Sequence, residues 1–419
     1  MANSLLGPLR SALKFVLGDT QAKAESEALQ GLGEGEAAAL RIGFSRVAAL
    51  RPDPTSIDPV SLAAELRIPE GLGDRLFRAI QLQAKAGHHG DGKPGATETS
   101  DEAGRAATMT LVTMARGLCE ICTPSRESQI EFLLSVLGDD CGFVSSERCR
   151  ELLCVMIEHA LPLERADDPD LRDRLVRMSL DQAWTSAQAS SGKGLTPAEA
   201  ERWLQEDTEA RACLSNLLRA HFLRMPDGHG RVDAPKRKLP RLRRRSRLLS
   251  DELLWLLSPC LSEQCLARPW KRLFCSVRHG QSFARLVSRV VFKGPTLLAI
   301  KDTGGHVFGV FAPVSWHKDN KFFGTSQTMV FSAAPKARVY RASGYNDHYL
   351  WLSSNLASCT NGLGVGGQSD YWGIFLDSAL EKGACRAPCS TFERSMPCLA
   401  SAAEFDVAHV EVCVRTHAH

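Results

Sequence analysis

The apolar period of this chain changes once, from helical to alternating, and that change limits the fold before any motif is considered. Over residues 61–82, Leu62, Leu66, Leu72, Leu76, Phe77 and Ile80 recur at the spacing that lines one side of a helix. Residues 109–161 repeat the pattern with Leu111, Val112, Met114, Leu118, Ile130, Phe132, Leu133 and Val136, then Leu152, Leu153, Val155, Met156 and Ile157. Residues 168–187 and 197–224 continue it, the second stretch opening on Thr196 as cap, Pro197 in the first turn and Glu199 three residues on. Helices are also expected over residues 5–17, 248–261 and 282–292. From residue 296 the period falls to two. The runs 296–301, 306–312, 328–332, 337–340, 349–352, 373–377 and 405–414 are short, β-branched and aromatic, and Gly, Pro, Asn and Asp separate them. The expectation is an α+β chain, an all-helical N-terminal region followed by a two-sheet antiparallel β-sandwich flanked by helices.

At 419 residues the chain exceeds what one core organises. Residues 1–85 read as an N-terminal helical segment. Apolar residues almost vanish over 86–107, around His88, His89, Gly90 and Pro94, so this stretch cannot repay its ordering entropy and reads as a flexible insertion. Residues 108–226 form a second helical domain that ends in the turn cluster at 225–230, residues 227–247 a basic linker, and residues 248–419 the β domain. No apolar run approaches the ~18 residues that cross a bilayer. The N-terminus lacks the pattern of a secretory signal, so the 14 cysteines are expected as free thiols in a reducing compartment.

The formal charge of +3 is unevenly spread. Lys236, Arg237, Lys238, Arg241, Arg243, Arg244, Arg245 and Arg247 crowd into one short segment, which leaves the remainder net negative. Such a run suits a solvated linker, an anionic membrane surface, a nuclear import signal or an acidic protein face. It contains no aromatic residue for base stacking, which argues against specific nucleic-acid binding.

Several patterns resemble chemical motifs. Gly362, Gly364 and Gly367 have dinucleotide-site spacing, but they precede a strand instead of a helix and read as a turn needing positive φ or close backbone contact. Cys119 and Cys122 form one CxxC without a second pair, so thiols facing a helical core are expected, not zinc; Cys141, Cys149 and Cys154 are read the same way. Cys275 with His279, or Ser343 with Asp347 and His348, would supply a nucleophile and base only if folding brought them together, and Asp347 and His348 read better as fixing a turn. Residues 130–156 look like a degraded EF-hand: aligning Gly142 with the loop glycine puts Leu137 at the first ligand position and Arg148 where a bidentate Glu belongs. Neither a metal, a cofactor nor a catalytic set is expected.

The C-terminal blocks form an ordered series. Leu273-Phe274-Cys275-Ser276-Val277-Arg278-His279-Gly280-Gln281-Ser282-Phe283 precedes Gly294-Pro295-Thr296-Leu297-Leu298, and Asp302, Val307-Phe308-Gly309 and Phe311 follow. Then come Gly344-Tyr345-Asn346-Asp347-His348-Tyr349, the run from Asn361 to Gln368, and the alternating run from Tyr371 to Asp377. This series resembles the TLDc domain, and within that family it is similar to the mTOR-associated, lysosomal Eak type.

The resemblance implies a sandwich of two antiparallel sheets flanked by helices. It also implies a non-enzymatic adaptor that binds the peripheral subunits of the V-ATPase at the lysosome or vacuole, with links to TOR-pathway proteins and to oxidative-stress resistance. Under it, Arg278, His279, Asn346, Asp347, His348 and Gln368 become candidate contact residues. The rival reading is a cysteine-based redox sensor or antioxidant enzyme, with Cys275 activated by Arg278 and His279. Two departures are visible: Met1-Ala2 does not supply the Gly that myristoylation requires, and the C-terminal helical tail that relatives use on the V-ATPase is not evident. Membrane contact is therefore expected of the basic run, with a cytoplasmic and peripheral location.

Overall fold

The structure, a computed structural model, describes residues 19–49, 51–86, 108–122, 125–162, 165, 168–224, 236–354 and 360–416. The helix expected over 5–17, the turn cluster at 225–230 and, beyond Ala86, the insertion to residue 107 lie outside the described residues. The chain divides into two compact units, Met1–Leu161 with Ser179–Lys236, and Pro162–Met178 with Arg237–His419.

The first unit is helical because its apolar stripes are long and its helix starts are capped. Helices α1 Asp19–Leu29, α2 Glu34–Ala48, α3 Pro59–Leu66, α4 Glu70–Ala86, α5 Leu111–Ile121, α6 Arg126–Leu137, α7 Ser146–Ala160, α8 Pro169–Ala187, α9 Pro197–Glu206 and α10 Thr208–Leu218 follow in order, α8 belonging to this unit only from Ser179. Asp58, Thr110, Ser125, Ser145 and Thr196 each accept a backbone N–H of the helix they open, satisfying a donor that has no intrahelical partner. Thr196 and Glu199 form the reciprocal capping box. The single helix expected over 197–224 is instead broken at Asp207, whose carboxylate accepts the Ala210 N–H at 2.9 Å and restarts the helix as α10.

Four two-residue strands precede α3, α5, α7 and α9: β1 Ser56–Ile57, β2 Met109–Thr110, β3 Val144–Ser145 and β4 Gly194–Leu195. β1 pairs with β2 and β3 with β4, both antiparallel. The one degraded EF-hand expected from sequence is thus part of a set of helix–loop–helix units whose loops join in pairs. In the loop before α7, Gly142 sits at φ +76° and Asp139 Oδ1 accepts the N–H groups of Cys141 at 3.0 Å and Phe143 at 2.9 Å. Arg148 turns back and donates to the Leu137 carbonyl at 3.0 Å. An internal guanidinium therefore ties the end of this loop to its start, where a calcium-binding loop would use the ion. In the loop before α9, Glu199 accepts from the backbone of Thr196 and from the backbone and hydroxyl of Ser190, which holds its pKa down to about 2.

Among its described residues the second unit is built on ten strands: β5 Trp270–Cys275, β6 Thr296–Asp302, β7 Val307–Ala312, β8 Met329–Ala334, β9 Arg338–Arg341, β10 Leu350–Ser353, β11 Gly362–Gln368, β12 Tyr371–Asp377, β13 Lys382–Ala384 and β14 Glu404–Arg415. They run as one antiparallel path, β10-β11-β12-β13-β14-β6-β7-β8-β9, with β5 also on β14. The expected antiparallel β domain is present, its two facing halves joined through the long β14, whose start pairs with β13 and whose remainder pairs with β6 and β5.

The halves face each other across a single core. Leu298 and Ile300 of β6 and Phe308 and Val310 of β7 pack with Leu350, Leu352, Leu363, Val365, Ile374 and Leu376. Alternation sends Leu297, Ala299, Phe311 and Phe331 to the opposite face, where Leu253, Leu254 and Leu257 of helix α11, Asp251–Leu257, cover them. Burying each large apolar side chain contributes about 1.5–3 kcal/mol, so the two layers together fix the strand register.

The segment expected as a solvated linker to residue 247 is bound into this unit from Arg237 onward. Arg243 N–H donates to Trp270 O at 2.9 Å and Trp270 N–H to Arg241 O at 2.7 Å. Arg237 lies 3.9 Å over the Trp255 ring and Lys238 pairs with Glu263 at 2.9 Å. Along this stretch the backbone bonds β5 while Arg241, Arg243, Arg244, Arg245 and Arg247 remain exposed.

Candidate functional site

Two groups of polar side chains stand out in the second unit, one exposed and one buried. The exposed group is built on β11. Its glycines are a strand, not the expected turn, and both parts of the physical reading hold within that strand: Gly366 and Gly367 adopt φ +68° and +83°, and the backbone is closely covered. A Cβ on Gly366 would lie 2.6 Å from the Phe392 ring and 2.9 Å from Cys389 Sγ, and one on Gly364 would lie 2.4 Å from Trp372. Glycine is required there because aromatic rings and a thiol occupy the space a side chain would take.

The segment from Ser343 to His348 rests against that strand and on the loop after β13. Ser343 N–H donates to Thr391 O at 2.9 Å, Asn346 Nδ2 donates to Ser390 Oγ at 3.1 Å, and Gly367 N–H donates to the buried Thr391 hydroxyl at 2.9 Å. His348 Nδ1 lies 2.7 Å from Gly367 O. A carbonyl only accepts, so Nδ1 carries the proton and Nε2 keeps its lone pair. The imidazole stacks on Phe322, centroids 4.5 Å apart and planes 12° apart, and Phe322 in turn touches Trp351 and Trp372. Asn346 Oδ1 accepts the His348 N–H at 3.2 Å. Above this support Tyr345 is 81% exposed, and Asp347 and Gln368 are exposed as well. The result is an aromatic and acidic surface held in place by hydrogen bonds, suited to recognition. Ser343 Oγ is engaged with Ser390 O and the Tyr345 N–H, not with His348, so no nucleophile is paired with the imidazole.

Arg278 and His279 belong elsewhere, on the short helix α12, Ser276–His279. His279 Nδ1 accepts the backbone N–H of Cys275 at 3.1 Å and does not face its thiol. Partial desolvation, then Arg289, Arg278, Arg272 and Arg285, hold the His279 pKa below its ordinary value, so its neutral form accepts that bond. The Cys275 thiol, buried, looks instead toward His409 Nε2 at 3.9 Å. Activation of Cys275 by Arg278 and His279, as sequence suggested, is not the arrangement found.

Around His409 lies the buried group that sequence reasoning missed. Ser276 Oγ accepts the Val410 N–H and sits 3.1 Å from His409 Nδ1. His409 Nε2 lies 3.2 Å from Glu411 Oε1, which also accepts from Arg272 at 3.0 Å. The other Glu411 oxygen accepts from Ser246 Oγ and, at 3.3 Å, from Arg247 N–H. Glu411 is fully buried. Burial alone would raise its pKa, but the bonds from Ser246 and His409 and the charge of Arg272 outweigh that and hold it below the usual carboxylate range. Cys275, His409 and Glu411 place one ligand atom each within 4.8 Å of one another. A cation there would displace the proton that His409 Nε2 gives to Glu411 and sit against Arg272, so the set reads as a hydrogen-bond network that ties β5, β14 and the arginine segment together. The sequence signal was two polar residues, His409 and Glu411, alternating with the apolar Val410, Val412 and Val414.

Residues 242–413, which include the glycine-bearing β11 and the covering loop, match the TLDc domain family. The chain carries a TLDc domain. In that region it is similar to the MTOR-associated protein MEAK7 of Danio rerio, 41% identical over 167 residues that are 39% of this chain and 36% of the relative. The MTOR-associated protein MEAK7 of Homo sapiens is 38% identical over 145 residues, 34% of this chain and 31% of the relative. The human nuclear receptor coactivator 7 is 28% identical over 181 residues, 43% of this chain and 18% of the relative. The chain thus spans about a third of the length of the MEAK7 proteins it matches.

Proposed function

We propose that the protein is a non-enzymatic, TOR-linked adaptor whose TLDc domain binds the peripheral part of the V-ATPase at the lysosomal or vacuolar membrane and supports resistance to oxidative stress. The similarity to MTOR-associated proteins supports the TOR link. The observation that carries the adaptor reading is the surface at Tyr345 to His348: an exposed aromatic and an exposed carboxylate, positioned by bonds to Ser390, Thr391 and Gly367. Rigid aromatic anchors of this kind concentrate binding energy at little entropic cost. The exposed arginines from Arg241 to Arg247 supply attraction to an anionic membrane face, each worth about 1 kcal/mol near the surface.

The test is affinity capture of detergent-solubilised V-ATPase by the full chain, alongside Tyr345→Ala and Asp347→Lys variants with unchanged melting. Retention of peripheral pump subunits by the parent and its loss in both variants supports the reading. Failure of the folded parent to retain any pump subunit refutes it.

A further inference from the structure

The loop that supports the exposed surface begins and ends at a pair of thiols. Cys385 follows β13, its N–H donating to Ala403 O at 2.8 Å, and its sulfur accepts the Leu399 N–H at 3.2 Å. Cys398 Sγ approaches the Cys385 carbonyl to 3.0 Å and the Ala400 carbonyl to 3.5 Å, so each sulfur lies against backbone of, or next to, the other cysteine. Their exposure differs: Cys385 is fully buried and Cys398 half-buried. His306 is near Cys398, its ring held by Leu399 O at 3.1 Å. Cys389, inside the same loop, is packed over Gly366 and Gly373 and takes no part.

We infer that Cys385 and Cys398 are a peroxide-oxidisable dithiol, Cys398 the attacking sulfur and Cys385 the resolving one, that closes to a disulfide across the base of this loop. The assignment follows from contact and access. A thiolate must reach a peroxide from solvent, and Cys398 is the less buried of the two; a second thiol must stand beside it, and the reciprocal contacts of Cys398 Sγ with Cys385 O and of Cys385 Sγ with Leu399 N–H place Cys385 there. Interaction with the neighbouring Cys385 side chain, which outweighs the effect of burial, also pulls the Cys398 pKa down, and the same interaction and burial push Cys385 up.

The Cys398 thiolate attacks a hydroperoxide oxygen. The S–O bond forms as O–O breaks, and the alkoxide or hydroxide leaves with a proton. Cys385 then attacks the sulfenyl sulfur; S–S forms, S–O breaks, and hydroxide departs as water with the Cys385 proton. Two thiols and one hydroperoxide give a disulfide, an alcohol and water. The bridged loop includes Ser390, Thr391 and Glu393, which bond Ser343, Asn346, Gly367 and Arg341, so the oxidised site lies beneath the surface proposed for recognition. The chemistry is independent of which partner uses that surface.

The experiment treats the reduced full chain with one equivalent of tert-butyl hydroperoxide, alkylates the remaining thiols and maps peptides by mass spectrometry. The expected result is loss of two hydrogens, located in a Cys385–Cys398 cross-link that dithiothreitol reverses. Cys398→Ser should abolish the cross-link, and Cys385→Ser should leave a sulfenic acid on Cys398 that dimedone captures. The parent protein alone suffices to overturn the inference: if both thiols remain alkylatable while Cys141 or another cysteine oxidises first, the dithiol is not the site.

Discussion

Replacing Glu411 by Ala probes the strongest coupling between the β domain and its arginine segment. The carboxylate is fully buried and accepts from Arg272, His409, Ser246 and the Arg247 backbone. Deleting it leaves Arg272, only 15% exposed, without its counter-charge. Removing one partner of such a buried pair costs about 3–5 kcal/mol. For a domain of this size each kcal/mol shifts melting by about 2–4 °C, so Glu411→Ala should melt about 6–20 °C below the parent by calorimetry. Losing the Ser246 and Arg247 bonds should also free the backbone there, and limited trypsin digestion should cut after Arg243, Arg244, Arg245 or Arg247 much sooner than in the parent.

Glu411→Gln separates charge from shape. Because the folded pKa of Glu411 lies below its unfolded value, its contribution is fully present above the ordinary carboxylate pKa and is lost as pH falls through the lowered one. The Gln variant should therefore lose less stability than the parent between about pH 5 and pH 2. A melting temperature for Glu411→Ala within about 1 °C of the parent, with unchanged trypsin sites, would refute the network argument.

Calorimetric titration of the full chain with calcium should show no binding to the loop before α7, because Arg148 holds the Leu137 carbonyl. Arg148→Ala should lower the stability of the helical unit by about 1–2 kcal/mol in urea unfolding without creating calcium affinity. Gly366→Ala meets both a positive φ and the Phe392 ring, and should cost about 2–4 kcal/mol by thermal melting. Binding to anionic liposomes should fall steeply with salt and largely vanish when Arg243, Arg244 and Arg245 become Ala; salt-insensitive binding would count against the arginine segment as the membrane contact.

The alternating runs were legible because their apolar residues point two ways at once. β6, β7, β8, β9, β10, β12 and β14 each overlap a run read from β-branched and aromatic residues. β11 was missed for the opposite reason: four of the seven residues of Gly362–Gln368 are glycines, and Trp372, Phe375, Phe392 and Cys389 lie against its bare backbone. β13 is three residues long and carries no period. Asp207 looked like a polar position in a helix, and only its capping bond shows that it ends one helix and begins the next. At the candidate sites, Asn346 and His348 are close in sequence and bond each other, but the supports Ser390 and Thr391 lie 44 and 24 residues from the groups they bond. Glu411 and its partner Ser246 are 165 apart. Sequence spacing carries no information about such pairs; they exist only once β14 has joined the two halves of the sheet.

Chemistry and position are supplied by different residues at the exposed surface. Tyr345 and Asp347 are exposed, so they contribute little to folding and are free to be chosen for what they touch. Their placement depends on buried groups: the Thr391 hydroxyl on Gly367, the His348 ring on the Gly367 carbonyl, and Cys389 and Phe392 over Gly366. Each of these contacts demands a bare backbone on β11. The glycine run that resembles a nucleotide loop in sequence is therefore a seat for the covering loop, and it links the interior of the sheet to the aromatic tip at Tyr345. A substitution at the tip should change recognition with little change in melting, whereas one at the seat changes both, which is the division of labour expected of a binding surface mounted on a rigid scaffold.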